Sequence, residues 1–167
     1  SCTTKEFYTE KWHYTIMELD LAKAFDLVDP DVAAEALAYF GTPPEIIGML
    51  YAGWTAPRCC QVNGDLAKPL QPKLGIPPGD PLSPVTLGQV LAPWLGLVQK
   101  KAPTVQAWAY MDDRSLKAAQ PEQAQQQHAE LAAALAETNR FDEAVGLKEN
   151  AKKRQHWKDD GALEHLG

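Results

Sequence analysis

Cysteine, positive charge and long apolar runs are all scarce in this sequence. Only three cysteines occur in 167 residues, Cys2, Cys59 and Cys60. An odd count with two adjacent positions does not look like a disulfide framework. The four histidines, His13, His128, His156 and His165, are scattered, and no Cys/His spacing resembles a zinc site. A reducing intracellular compartment, nucleus or cytoplasm, is the expectation. The best apolar stretch, Val85 to Val98, is broken by Gln89 and Pro93, so no membrane span is expected. No basic segment followed by an apolar one opens the chain, which excludes a visible secretory signal. A starting Met is also missing, and Ser1 lies close to a predicted strand, so the sequence reads as a fragment of a longer polyprotein.

What is present describes a soluble globular chain. The hydrophobic fraction is 45% and the charged fraction 23%, on a length suited to a single domain with a real core. The net charge of −6 argues against a nucleic-acid binder, which is usually basic. The distribution softens this, because Lys148, Lys152, Lys153, Arg154 and Lys158 cluster near the C-terminus. A solvated charged face is the commoner meaning of such a run.

Local signals give an element order. Trp12 to Leu19 carries Tyr14, Thr15 and Ile16 and reads as a strand ending at Asp20. Asp29-Pro30 predicts an N-cap and first helical position, opening a helix over Asp31 to Phe40 that stops at Gly41. A second helix follows Pro43-Pro44 and runs to about Tyr51. Arg58 to Val62 and Leu66 to Leu74 read as strands around the hairpin turn Asn63-Gly64, the second made irregular by Pro69 and Pro72. After the Pro/Gly loop Gly75 to Pro84, a helix over Leu82 to Lys100 is kinked at Pro93. A hairpin follows, then a polar helix from Pro121 to about Arg140 with Leu131 and Leu135 on one face. Gly146 begins a last short segment. This order predicts an α+β layered domain, an antiparallel sheet with helices on one face.

The chemistry concentrates in Tyr110-Met111-Asp112-Asp113, two adjacent acids between the apolar segments Val105 to Ala109 and Leu116 to Ala119. Such a pattern reads as a hairpin with the acids at its tip. Adjacent carboxylates repel unless a cation sits with them, although Asp-Asp is also ordinary turn chemistry. A third carboxylate, Asp20, ends the predicted first strand. If those strands are neighbours, the three acids make an oxygen-ligand site of the kind that holds two Mg²⁺ ions for nucleotidyl transfer.

These residues carry a resemblance. Leu19-Asp20-Leu21-Ala22-Lys23-Ala24-Phe25-Asp26 resembles motif A of reverse transcriptases, most closely those of non-LTR retrotransposons. Gly75 to Pro84 (Gly-Ile-Pro-Pro-Gly-Asp-Pro-Leu-Ser-Pro) is similar to motif B, Tyr110 to Asp113 to motif C, and Gly146 to Asn150 with Lys153 to motif D. The four stand in the family's order and span about residues 15–157, so 1–167 reads as one partial domain, a polymerase palm with fingers and thumb largely absent.

The resemblance implies an RNA-directed DNA polymerase with two Mg²⁺ ions, or Mn²⁺, that takes an RNA template, a DNA primer and dNTPs. It implies Asp20 and Asp112 as the main metal ligands, Asp113 as an assistant, and the Leu21 carbonyl as a further ligand. Phe25 becomes a steric gate that excludes a 2′-hydroxyl; ordinary core packing is its other reading. Gly75 and Gly79, with Pro77, would let the backbone approach template and nucleotide. Tyr110 and Met111 would pack beside the nucleotide and primer end, unless they are hairpin core. Lys153 would lie near the leaving pyrophosphate as a general acid, unless it is one solvated lysine among several. The remaining fingers and thumb, and an endonuclease domain, would belong to the rest of the protein.

One position departs from the family. Gln usually follows the motif B proline, where this chain has Pro78, which cannot hydrogen-bond through its side chain or its nitrogen. That departure keeps a second expectation open, a decayed or domesticated palm that serves as a binding module. The fragment alone is expected to polymerise poorly.

Overall fold

The computed structural model describes residues 14–119, 124–158 and 163–164. The first strand, β1 (Tyr14–Asp20), alternates as the sequence predicts: Met17 and Leu19 are buried while Glu18 faces solvent. A short helix α1 (Ala24–Leu27) follows Lys23, whose φ of 50° turns the chain sharply. Next comes α2 (Pro30–Tyr39), capped by Asp29, whose side chain accepts the Asp31 N–H at 2.9 Å. Gly41, at φ 81°, ends it in the left-handed conformation that favours glycine.

The third helix, α3 (Pro44–Thr55), continues past the expected end at Tyr51. Gly53 is tolerated within it and no proline intervenes before Pro57, which biases Ala56 toward the extended conformation it adopts. The small hairpin β2 (Gln61–Val62) and β3 (Asp65–Leu66) turns on Asn63 and Gly64, both at positive φ, as a two-residue hairpin turn favours. Its strands are much shorter than expected. Beyond them the Ala67 N–H donates to Cys60 O at 2.9 Å and an isolated bridge joins Arg58 to Leu70; the prolines withhold donors and no buried face pins a longer register.

The long helix α4 (Ser83–Lys101) accommodates Pro93 on an exposed face and buries Thr86, Leu87, Val90, Leu91, Trp94 and Val98. Strands β4 (Val105–Tyr110) and β5 (Asp113–Ala119) form the acidic hairpin. Helix α5 (Ala124–Val145) runs five residues past the expected Arg140 and stops at Gly146, φ 76°. Its buried stripe continues through Phe141 and Asp142, so packing carries it further than its polar sequence indicates. The expected start at Pro121 lies outside the described residues, as do Trp12 and His13, where the first strand was expected to begin. A 3₁₀ turn (Ala151–Lys153) leads to β6 (Gln155–Lys158) and β7 (Leu163–Glu164).

The main sheet has five antiparallel strands in the order β4-β5-β1-β6-β7. Helices α4 and α5 pack on one face, and the core fills the space between, from Leu19 and Leu116 to Trp94, Leu87 and Leu131. This is the expected α+β layering, and among the described residues it leaves the opposite face of the sheet open. Among the described residues no helix is long and apolar enough to cross a membrane.

Candidate active site

Strand register builds the site. Asp20 on β1 stands opposite Asp113 on β5, and Asp113 stands opposite Tyr110 on β4. Directly opposed residues of antiparallel strands share a face, so all three rise from the open face of the sheet. The next row on that face is Glu18, Ser115 and Trp108. Met111 and Asp112 are the two-residue turn between β4 and β5, with Met111 held at φ 54°. The strand register sets Asp20 and Asp113 directly opposite each other. Asp112 sits one residue further out, and its carbonyl accepts the Leu21 N–H at 3.0 Å.

A third segment closes the site. Ala22 N donates to Lys148 O and Asn150 N donates to Asp20 O, each at 2.8 Å, flanking a bridge between Leu21 and Glu149. The bridge uses the groups on either side and leaves out Leu21's own carbonyl. The same segment sets Lys153 Nζ 3.2 Å from Asp20 Oδ1. Lys153 is 64% exposed there, so the pair is weak, on the order of 0–1 kcal/mol. Arg154 is gripped at 2.8 and 2.7 Å by both oxygens of Glu149, which pushes its pKa further up and keeps it charged. Together these elements enclose a cleft of ≈ 420 Å³ whose lining includes Asp20, Asp113, Glu18, Ser115, Lys152, Lys153 and Arg154. Part of the basic run is therefore wall of the site as well as solvated face.

The motif B loop docks on α1 instead of standing free. Gly75 N donates to Val28 O and Ile76 N to Phe25 O, both at 2.8 Å. Gly75 is buried at φ 95°, and a Cβ there would lie 3.1–3.2 Å from backbone atoms of Asp26 and Phe25. Its missing side chain thus makes room for this chain's own backbone, where the sequence reading had nucleotide and template. Gly79 is exposed, with nothing within 4 Å of the same position. Pro77 is half-buried and Pro78 exposed. Asp80 of the motif B loop accepts the Leu82 N–H at 2.9 Å and shapes the entry to α4. Phe25 is half-buried against the core. Tyr110 and Met111 are 73% and 40% exposed, so neither is hairpin core.

Two further residues escaped the sequence reading. Arg114, next to Asp113, is fully buried and paired with Asp142 of α5 through two 2.7 Å hydrogen bonds. The signal was a parity violation: Arg114 falls in step with the buried Leu116 and Ala118, and Asp142 falls on the buried stripe of α5. Two charges on core faces need each other.

Residues 2–167 match the reverse transcriptase (RNA-dependent DNA polymerase) family. The chain belongs to that family. No curated protein matches it in sequence. Among solved structures, this reverse transcriptase domain is similar to the apo telomerase of Candida tropicalis truncated from its C-terminal domain. The TM-score is 0.66 at 12% identity, over 93% of this chain and 31% of that one. It is also similar to the telomerase of Candida tropicalis in complex with a TWJ fragment of telomeric RNA. There the TM-score is 0.64 at 10% identity, over 95% of this chain and 28% of that one. At these identities the likeness speaks of fold, and the fold is palm-like. The chain spans about a third of the length of those telomerase chains.

Proposed function

We propose that this domain is the palm of an RNA-directed DNA polymerase from a retroelement, joining dNTPs to a primer 3′-hydroxyl along an RNA template. The observation that carries the reading is Asp20 opposite Asp113 on the open sheet face, with the Met111-Asp112 turn beside them and the basic segment 152–154 opposite.

The donor set fits Mg²⁺, whose usual protein ligands are one or two carboxylates completed by substrate phosphates and water. Among the described residues no three His, Cys, Asp or Glu side chains form a ready metal cluster. Asp20 and Asp113, opposite each other on neighbouring strands, are the nucleus of the site, with Asp112 and the Leu21 carbonyl as further donors. Divalent ions bound there would neutralise the triphosphate and activate the 3′-hydroxyl. Lys153, held to Asp20 only by an exposed pair, is free to swing to the leaving pyrophosphate and give it a proton. Phe25, five residues past Asp20 on α1, limits room at the sugar and favours deoxynucleotides. The exposed Tyr110 and Met111 flank the primer end, and Gly79 with Pro77 borders the nucleotide. Arg154 remains cationic beside the cleft and attracts phosphates.

A second reading, a palm that no longer catalyses, draws on Pro78, which stands exposed in the motif B loop with no N–H to offer. Primer extension by the full-length protein separates the two. With RNA template, DNA primer, Mg²⁺ and dNTPs, the polymerase reading requires template-dependent DNA synthesis. A folded protein that makes no product supports the second reading.

A further inference from the structure

The pair Arg114–Asp142 lies behind the site, on the core face of the sheet, and nothing in the chemistry above uses it. Its connections run to both sides of the site. Arg114 adjoins Asp113 along β5, on the alternate face. Its guanidinium donates two 2.7 Å bonds to Asp142, and it lies 5.2 Å from the ring centroid of Trp94 on α4. Trp94 in turn donates through Nε1 to Thr138 Oγ1 at 2.9 Å, one turn of α5 before Asp142. From Asp142 the path continues outward, because its carbonyl accepts the Leu147 N–H at 2.8 Å where α5 gives way to the segment that reaches Asp20. That segment then delivers Lys148 O to Ala22 N, takes Asp20 O with Asn150 N, and places Lys153 on Asp20. One ion pair therefore joins the strand carrying Asp113 to the segment carrying Lys153.

A buried ion pair is a poor way to gain stability. Desolvating two charges offsets most of their attraction, and well-packed apolar residues often do as well. Here Arg114 Nε also lacks a hydrogen-bond partner among the described residues, a further cost. What the rigid guanidinium fork adds is geometry, since two parallel bonds fix distance and orientation together. We infer that Arg114 and Asp142 are positioning residues, whose buried pairing sets the carboxylates of the Asp112-Asp113 hairpin at the correct spacing from Asp20 and Lys153. The inference deepens the polymerase reading, but only its kinetic arm depends on that reading.

The test uses the double variant Arg114→Met, Asp142→Leu, in which apolar side chains keep the volume filled. Amide hydrogen exchange and steady-state primer extension are measured on the full-length protein. The amides that close the site, Leu21, Ala22 and Asn150, are expected to exchange about tenfold faster or more than in the wild type, while the β1–β6 ladder keeps its protection. In the same variant kcat falls about tenfold or more, with the dNTP KM within about twofold, as small misplacement of reacting groups predicts. Wild-type exchange at all three amides overturns the inference. Should the double variant unfold, Arg114→Lys carries the same readout, because it keeps the charge but cannot form the fork. Partial acceleration at the three amides supports the inference, and wild-type rates overturn it. A wild-type protein that makes no DNA would remove the polymerase reading and leave the exchange result to decide the role of the pair.

Discussion

Replacing Gly75 with Ala separates the two motif B glycines, which the sequence treats alike. Gly75 has φ 95°, a conformation that costs an L-residue about 1–2 kcal/mol. The new Cβ would also meet Asp26 O at 3.1 Å, Asp26 Cα at 3.2 Å and Phe25 O at 3.2 Å. These are backbone atoms of α1 and cannot swing aside, so α1 or the loop must shift by a few tenths of an ångström. Overpacking of this kind costs about 1–3 kcal/mol. The sum, about 2–5 kcal/mol, is a large part of a typical domain stability of about 5–15 kcal/mol. For a chain of this size it corresponds to a fall in Tm of roughly 5–15 °C. Gly79→Ala meets nothing within 4 Å and has no positive φ, so its effect should stay within about 1 kcal/mol. Thermal unfolding of the two variants beside wild type is the assay. Equal Tm shifts would mean that neither the φ nor the close approach to α1 matters. Because the displaced helix carries Phe25, Gly75→Ala should also loosen discrimination between dNTPs and NTPs.

Phe25→Val should raise the ratio of NTP to dNTP incorporation in primer extension while leaving the fold intact; an unchanged ratio would return Phe25 to the core. Asp29→Ala removes the bond to Asp31 N and should lower stability by about 1 kcal/mol, read as a small drop in Tm. Lys153→Met should lower kcat by about tenfold to a hundredfold without affecting Tm, because an exposed ion pair contributes little stability; the kinetics of single-nucleotide addition check this.

Much of the fold could be read from local signals. Alternation of Met17 and Leu19 with Glu18 marks β1, the Asp29-Pro30 cap starts α2, and Asn63-Gly64 turns the small hairpin. Extents were harder, because they depend on tertiary packing. Helix α5 continues past Arg140 for the sake of Phe141 and Asp142, whereas β2 and β3 shrink because nothing buries them. The candidate site divides along the same line. Its acids were visible from their turn and strand-end positions. Which acids stand opposite was not, since the pairing of Asp20 with Asp113 is a matter of register between strands over ninety residues apart. The place of Lys152 and Arg154 in the cleft wall depends on β6 pairing with β1, another long-range choice with no local mark. Arg114 and Asp142 each left a mark that went unread, a charge on an apolar face, and only the fold shows that the two faces touch.

The most direct test of the account is Mn²⁺ binding followed by electron paramagnetic resonance, with and without dNTP, in wild type, Asp20→Asn and Asp113→Asn. Binding should be saturable in the wild type, strengthened by dNTP and severely weakened in both variants, because each loses one of two opposed carboxylates. Binding of equal strength in all three proteins would contradict this expectation, since the ion would then be held somewhere other than the Asp20–Asp113 pair.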